Sequence, residues 1–116
     1  MHPQDAVARG LRDGDIIRVF NERGACLAGL IVSDGVRPGV IQLATGAWYD
    51  PEQTGEGASM DKHGNPNMLT IDKGPSKLAQ GPIAHTALVE VERFAGELPP
   101  ITVHQAPATD PYTKTM

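Results

Sequence analysis

The chain has 116 residues, of which 40% are hydrophobic and 4% aromatic, and its formal net charge is -4. This length supports one compact core and is too short for two ordinary domains. The net charge is acidic, and the sequence shows no basic stripe of the kind with which nucleic-acid binders contact phosphates, so no nucleic-acid partner is expected. No uncharged apolar run is long enough to cross a bilayer, and no basic segment followed by an apolar one opens the chain, so neither membrane insertion nor a signal segment is expected.

The residue types that usually perform catalysis or bind metals are sparse. Cys26 is the single cysteine, which excludes an internal disulfide and a cysteine-rich metal or iron–sulfur site. The four histidines are too scattered to predict a metal site, and no nucleophile has an adjacent base. We therefore predict no catalytic and no metal-binding residues in this chain. Cys26 itself is expected to be a small buried hydrophobe.

A short helix is predicted over residues 5–11. Pro3 suits its start, and Gly10 provides a stop. Asp13 and Asp15 follow in a turn, where capping and solvation alone favour aspartate. We therefore assign these two carboxylates a structural role and no chemistry.

A β-hairpin is predicted next, with strands at 16–20 and 25–32 and a turn at 21–24. Arg23 lies in this turn, where exposure is the default, with a phosphate contact as the alternative. After further turn residues, the apolar segment 40–44 is predicted to form another strand.

Periodicity then fades between residues 45 and 82, where Gly, Pro, Asn and Asp dominate. Loops of this length in compact domains are usually functional or disordered. A brief helical turn is predicted at 76–80. Residues 86–92 restore the alternation, with Val89 and Val91 on one face, and are predicted to be the closing strand.

These elements predict one β-rich domain over residues 1–93. Short, evenly spaced strands, one small helix and glycine-containing turns are typical of a closed β-barrel. Residues 94–116 are rich in proline, which favours extended or mobile backbone, and are predicted to be a tail.

Trp48 is ambiguous in a chain with so few aromatic residues. A lone tryptophan is usually a core or interface anchor, because its large apolar body dominates wherever it is buried. The alternative is that Trp48 shelters one face of a bound ligand.

The most informative stretch is 63–70, His-Gly-Asn-Pro-Asn-Met-Leu-Thr, which is followed by 76–82, Ser-Lys-Leu-Ala-Gln-Gly-Pro. Both are rich in amide, hydroxyl and glycine groups and poor in charge. That composition favours hydrogen-bonded recognition of a polar heterocycle over acid–base chemistry. The alternative for Asn65 and Asn67 is a tight turn in which both asparagines bond their own backbone. The residues alone leave both interpretations open.

Together with 45–51, Thr-Gly-Ala-Trp-Tyr-Asp-Pro, and with 3–15, these stretches resemble a known family. It is the molybdopterin-dinucleotide-binding domain that closes the carboxyl end of dimethyl-sulfoxide-reductase-type molybdoenzymes, here similar to the biotin sulfoxide and trimethylamine N-oxide reductases. The resemblance runs in order from residue 2 to residue 93. It implies a mainly β fold, a six-stranded double-psi β-barrel with short helices and long loops. Pro75 departs from the pattern, because family members more often have threonine there.

The resemblance also implies a site. In family members the matching asparagine and glutamine positions face the pterin-dinucleotide cofactor, so Asn65, Asn67, Ser76 and Gln80 are the expected contacts to bis-molybdopterin guanine dinucleotide. An amide suits a pterin or a guanine because one side chain both donates and accepts hydrogen bonds. The residue that ligates molybdenum in such enzymes lies in another domain, so no cofactor is expected in the isolated chain.

The implied function is that of a cofactor-binding domain in a molybdenum oxidoreductase that reduces S-oxides or N-oxides. The chain would then be an excised carboxyl-terminal domain, catalytically silent by itself. Its partners would be the cofactor and the remaining domains of the parent enzyme, in the cytoplasm or the periplasm.

Two other functions are compatible with a barrel of this kind. A pyruvoyl-dependent decarboxylase would need to cleave itself between a glycine and a following serine, and no glycine here precedes a serine. A stand-alone protein-interaction or small-molecule-binding module on the same barrel remains as the alternative. An interaction module would not need the amide-rich loop.

Overall fold

The computed structural model describes residues 1–52, 60–71, 78 and 86–106. The elements in these residues are, in chain order, α1 (Pro3–Ala8), β1 (Ile16–Asn21), β2 (Gly24–Gly29), β3 (Met60–Asp61), a 3-10 turn (Pro66–Met68) and β4 (Glu90–Arg93). The four strands form one sheet in the order β3-β2-β1-β4. The mainly β character is therefore confirmed. The sheet is open in the part of the chain that the structure describes, and six barrel strands are not seen there.

Helix α1 begins and ends through local side-chain and backbone chemistry. The Nδ1 atom of His2 accepts a hydrogen bond from the Gln4 amide at 3.0 Å, and Pro3 occupies the first turn. The helix ends at Ala8, earlier than predicted, because Gly10 adopts a left-handed φ of 65°. The helix also begins two residues before the predicted range, although Pro3 and Gly10 act as start and stop signals as predicted.

Strands β1 and β2 form the predicted hairpin. They pair antiparallel, with Val19 opposite Cys26 and Asn21 opposite Gly24. The Oδ1 atom of Asn21 accepts hydrogen bonds from the amides of Arg23 at 2.9 Å and Gly24 at 3.3 Å, which closes the turn. The alternation of β1 places Val19 on its buried face.

Strands β3 and β4 complete the described sheet on its two sides. Strand β4 pairs antiparallel with β1, and β3 pairs parallel with β2. Around β4, Val89 and Val91 are half-buried while Leu88 is exposed, which confirms the predicted faces. The sequence did not predict β3, because two residues are too few to show an alternation.

The segment 40–44 differs from its prediction. Its residues do alternate, since Ile41 and Leu43 pack against the core and Val40 is exposed. They pair with no other strand in the ranges that the structure describes, so the prediction of a strand is wrong there. Alternation reports which face of a segment is buried, whereas a strand also needs a neighbour for its backbone hydrogen bonds.

The hydrophobic core lies between one face of the sheet, helix α1 and the end of the 3-10 turn. Its buried members are Met1, Ala6, Leu11, Ile17, Val19, Cys26, Leu30 and Leu69. Within the described ranges, no helix has the length and apolar character that spanning a bilayer requires.

Candidate functional site

Asp61 organises the backbone around the asparagine-rich stretch. This residue ends β3 and has 0% of its surface exposed. Its Oδ1 atom accepts a hydrogen bond from the Asp50 amide at 2.6 Å. Its Oδ2 atom accepts from the amides of His63 at 3.0 Å and Asn65 at 2.7 Å. Hydrogen bonds to a carboxylate are stronger than those between neutral groups, so Asp61 fixes three separate points of the loop.

Asn65 and Asn67 lie together in the turn that follows, but their environments differ. Asn65 is 9% exposed, and its Oδ1 atom accepts a hydrogen bond from the Asn67 amide at 2.9 Å. The tight-turn interpretation is therefore correct for the Asn65 oxygen. Asn67 is exposed, and its carbonyl accepts from Thr70 Oγ1 at 3.3 Å. Of the two residues, only Asn67 is presented at the surface.

The other end of the turn is held by the hairpin. The carbonyl oxygen of buried Leu69 accepts hydrogen bonds from Asn21 Nδ2 and from Arg23 Nε, both at 2.9 Å. The Arg23 side chain is 29% exposed, so the prediction of an exposed arginine is wrong. The hairpin turn does not simply face solvent, because it lies against Leu69. The turn from Asp61 to Leu69 is thus bonded at both of its ends.

Asp50 is a second buried carboxylate, and it binds a segment distant in sequence. Its oxygens accept hydrogen bonds from the Thr102 amide at 2.6 Å, Thr102 Oγ1 at 2.7 Å and the Val103 amide at 3.0 Å. The ammonium group of Lys62 lies 3.6 Å away. Burial alone would raise the pKa of Asp50, but the bonds from Thr102 and Val103 and the charge of Lys62 outweigh it and lower the pKa.

These contacts bear on the predicted tail. Thr102 and Val103 lie after residue 93, yet they bind the loop through Asp50. The boundary at residue 93 stays a prediction. The contacts show that residues beyond this boundary, Thr102 and Val103, touch the same loop that carries Asn65.

Three rings gather beside this loop. The ring of His104 lies 5.7 Å from that of Trp48 and 5.4 Å from that of His63, the second pair being T-shaped. Nδ1 of His63 is 3.3 Å from the carbonyl oxygen of Trp48. Trp48 is 64% exposed, so it is not a core residue, while its interface and ligand-sheltering roles stay predictions.

A cavity of about 340 Å³ adjoins the turn. Lys62, His63 and Gly64 line it, together with apolar residues that include Leu27 and Leu43. Gly64 has a φ of 80°, and a Cβ atom there would lie 3.4 Å from the Leu27 carbonyl oxygen. A glycine is therefore required by the backbone where the chain enters the turn.

Two of the four predicted cofactor contacts, Ser76 and Gln80, lie outside the described residues. Most of the predicted helical turn at 76–80 lies outside them as well. Cys26 is buried as predicted, and burial, together with the nearby charge of Asp61, raises the pKa of its thiol to about 11. The described ranges bring together no group of three His, Cys, Asp or Glu side chains that could hold a metal ion.

The structure also reveals residues that sequence reasoning missed, namely Asp50, Asp61 and Thr102. A signal existed for Asp61, since an aspartate often accepts hydrogen bonds from backbone amides a few residues later, as Asp61 does from His63 and Asn65. No local signal pairs Asp50 with Thr102, because these residues are distant in sequence.

Comparison with known proteins gives one family and several relatives. Residues 1–88 match the family described as Molydopterin dinucleotide binding domain. Trimethylamine-N-oxide reductase of Salmonella typhi is 53% identical over 108 residues, which cover 93% of this chain and 13% of that protein. Trimethylamine-N-oxide reductase 1 of Escherichia coli K12 is 55% identical over 102 residues, covering 88% of this chain and 12% of the relative.

A third relative is the dimethyl sulfoxide/trimethylamine N-oxide reductase of Cereibacter sphaeroides, 50% identical over 107 residues, with 92% of this chain and 13% of the relative covered. The chain therefore spans only about an eighth of the length of these relatives. Because the family match extends over most of the chain, the chain belongs to the molybdopterin-dinucleotide-binding domain family that its motifs resemble.

Proposed function

We propose that this chain is the cofactor-binding domain of a larger molybdenum oxidoreductase that reduces S-oxides or N-oxides. The parent would carry bis-molybdopterin guanine dinucleotide, and the bound group would supply the electron-transfer and oxygen-removal chemistry. This domain would hold and cover the pterin dinucleotide, and the remaining domains of the parent would be its partners. The names of the similar reductases support this substrate class.

The observation that carries the proposal is the exposed Asn67 on a turn bonded at both ends. Asp61 holds one end of the turn, and the carbonyl of Leu69 is held at the other. An amide on such a turn loses little conformational freedom when it binds a ligand, so more of the interaction energy appears as affinity. A side-chain amide also matches the mixed donor and acceptor edge of a pterin or a guanine.

The start of the turn also fits a ligand of this type. The cavity of about 340 Å³ that Lys62, His63 and Gly64 line combines apolar walls with a few polar groups, as ligand sites commonly do. The buried Asn65 would contribute through its amide nitrogen, since its oxygen is bonded to the Asn67 backbone. We propose Ser76 and Gln80 as further contacts on the basis of the family motif.

The same proposal includes a six-stranded double-psi β-barrel as the fold of the domain. A six-stranded double-psi barrel would require further strands beside the open sheet. The Met1 amino group donates to the Ile31 carbonyl at 2.9 Å, and the Ser33 amide donates to the Met1 carbonyl at 2.9 Å. This pattern is that of a strand pair continuing beyond β2. A cavity of about 480 Å³ beside β1 would be filled by such closure.

The test is the cofactor content of the full-length protein carrying Asn67→Ala or Gln80→Ala. Each loss of a paired amide should weaken retention by about 1–3 kcal/mol, because polar atoms of the heterocycle lose their partner. Gln42→Ala is the matched control, since Gln42 is an exposed amide outside the turn. Molybdenum and pterin are measured after purification. Wild-type loading in both variants, with normal folding, would remove Asn67 and Gln80 from the site.

A further inference from the structure

We propose that Asp61 is a positioning residue for the cofactor-binding turn and that Asp50 couples this turn to Thr102 and Val103. The proposal rests on the proposed function, because it concerns how the amide of Asn67 is held for the cofactor. Neither carboxylate contacts Asn67 directly. Their effect passes through the backbone.

Two hydrogen bonds connect Asp61 with Asn67. The Asp61 carboxylate accepts from the Asn65 amide at 2.7 Å, and Asn65 Oδ1 then accepts from the Asn67 amide at 2.9 Å. The first bond sets the backbone of Asn65. The second sets the backbone of Asn67 relative to the Asn65 side chain. The position of the exposed amide therefore depends on a carboxylate two hydrogen bonds away.

The charge of Asp61 makes this arrangement specific to one conformation. Among the described residues, Asp61 forms no ion pair, and the hydrogen bonds that it accepts there come from the backbone amides of Asp50, His63 and Asn65. A different backbone path through the turn would remove these donors and leave a buried charge without partners, which is strongly unfavourable. Asp61 thus disfavours every other conformation of the turn before the cofactor binds.

Asp50 couples the turn to the segment beyond β4. Its amide donates to Asp61 Oδ1 at 2.6 Å, while its carboxylate accepts from Thr102 and Val103. The next residue, His104, lies against the ring of His63, whose amide is also bonded to Asp61. Thr102 and Val103 therefore share one hydrogen-bonded network with the turn, and His104 adds a ring contact to it. Disturbing Thr102 should therefore loosen the turn.

The experiment uses the full-length protein with Asp61→Asn. Asparagine keeps the size of the side chain, but its Nδ2 group replaces an acceptor with a donor that faces backbone amides. We expect the His63 and Asn65 amides to exchange with solvent at least ten-fold faster, and the pterin dinucleotide to dissociate at least ten-fold faster on dilution. Leu11→Ala, a core substitution outside the turn, is the control for a general loss of stability.

Thr102→Val is the second variant. It removes one hydroxyl donor from Asp50 while keeping the shape of the side chain, so it tests the coupling through Asp50 even if Asp61→Asn does not fold. We expect a smaller change in the same direction, about three-fold in the exchange of the His63 and Asn65 amides. An unchanged exchange in Thr102→Val would overturn the coupling through Asp50.

The positioning role is overturned if Asp61→Asn retains the cofactor normally, or if Leu11→Ala, at an equal fall in melting temperature, loses it as fast. These outcomes are distinct from a failure of the proposed function. If Asn67→Ala loses the cofactor while Asp61→Asn keeps it, only the positioning role fails. If both keep it, the proposed site fails as well.

Discussion

The β1–β2 hairpin and the carboxylate cluster, by which we mean Asp50 and Asp61 with the backbone amides they bind, are neighbouring regions stabilised in different ways. The hairpin has a regular ladder, and side chains such as Val19 pack on its buried face. The carboxylate cluster joins residues near 50, 61–65 and 102–103 with little regular structure. Beside the short pairing of β3 with β2, buried carboxylates hold these segments together there.

This difference has a physical consequence for binding. Apolar packing is non-directional, so a hairpin tolerates small shifts and exchanges of similar side chains. A buried carboxylate depends on donors at fixed positions, because an unpaired charge is costly. The carboxylate cluster is therefore suited to hold a loop in one conformation, which is what a turn that presents an amide to a ligand requires.

The largest expected effect is that of Asp61→Ala. It leaves the amides of Asp50, His63 and Asn65 without their acceptor, at roughly 3 kcal/mol or more of unfolding free energy. Urea denaturation measures it. The comparison is Val19→Ala in the hairpin, which should cost about 2 kcal/mol through lost apolar burial and leave the Asn65 amide protected from exchange. Similar exchange profiles in the two variants would show that the two regions are not stabilised differently.

A smaller effect, about 1 kcal/mol at neutral pH, is expected for Thr102→Val, which removes one hydrogen bond from Asp50. The folded-state pKa of Asp50 is lowered from its ordinary value of 3.8, so its stabilisation is present above the unfolded-state pKa and is lost as pH falls through the folded value. The difference between the variant and wild type should therefore shrink on acidification below about pH 4.

Unfolding free energies of both proteins between pH 2 and pH 7 provide the measurement for Thr102→Val. A difference that stays constant over this range would mean that the Thr102 hydroxyl does not act through the ionised form of Asp50.

The sequence predicts the hairpin well because all its signals are local. Alternation in 16–20 and the turn residues at 21–24 specify strand, turn and buried face without reference to the rest of the chain. The helix start at Pro3 and its stop at Gly10 are predictable for the same reason. The prediction of a strand at 40–44 is wrong because alternation can be read from the segment itself, whereas the strand that would pair with it lies elsewhere in the chain.

The site was only partly predictable. The amide-rich composition of 63–70 indicates where a ligand would bind, and a tight turn at Asn65 is one of the two interpretations that the residues leave open. The division of roles between buried Asn65 and exposed Asn67 depends on Asp61, whose bond to Asp50 joins separate segments. Thr102 lies still farther along the chain, in a segment whose prolines indicated only extended backbone. Contacts between residues so far apart in the chain leave no pattern in a single sequence from which they could be predicted.

The most direct test of the account is amide hydrogen exchange of the full-length protein, compared with its cofactor bound and after cofactor removal. We predict that removal speeds exchange in the turn, at His63, Asn65 and Asn67, and leaves the hairpin amides of Val19 and Cys26 unchanged. Such a result would place the pterin dinucleotide on the turn that Asp61 holds. Equal changes in both regions, or no change at the turn, would contradict the account.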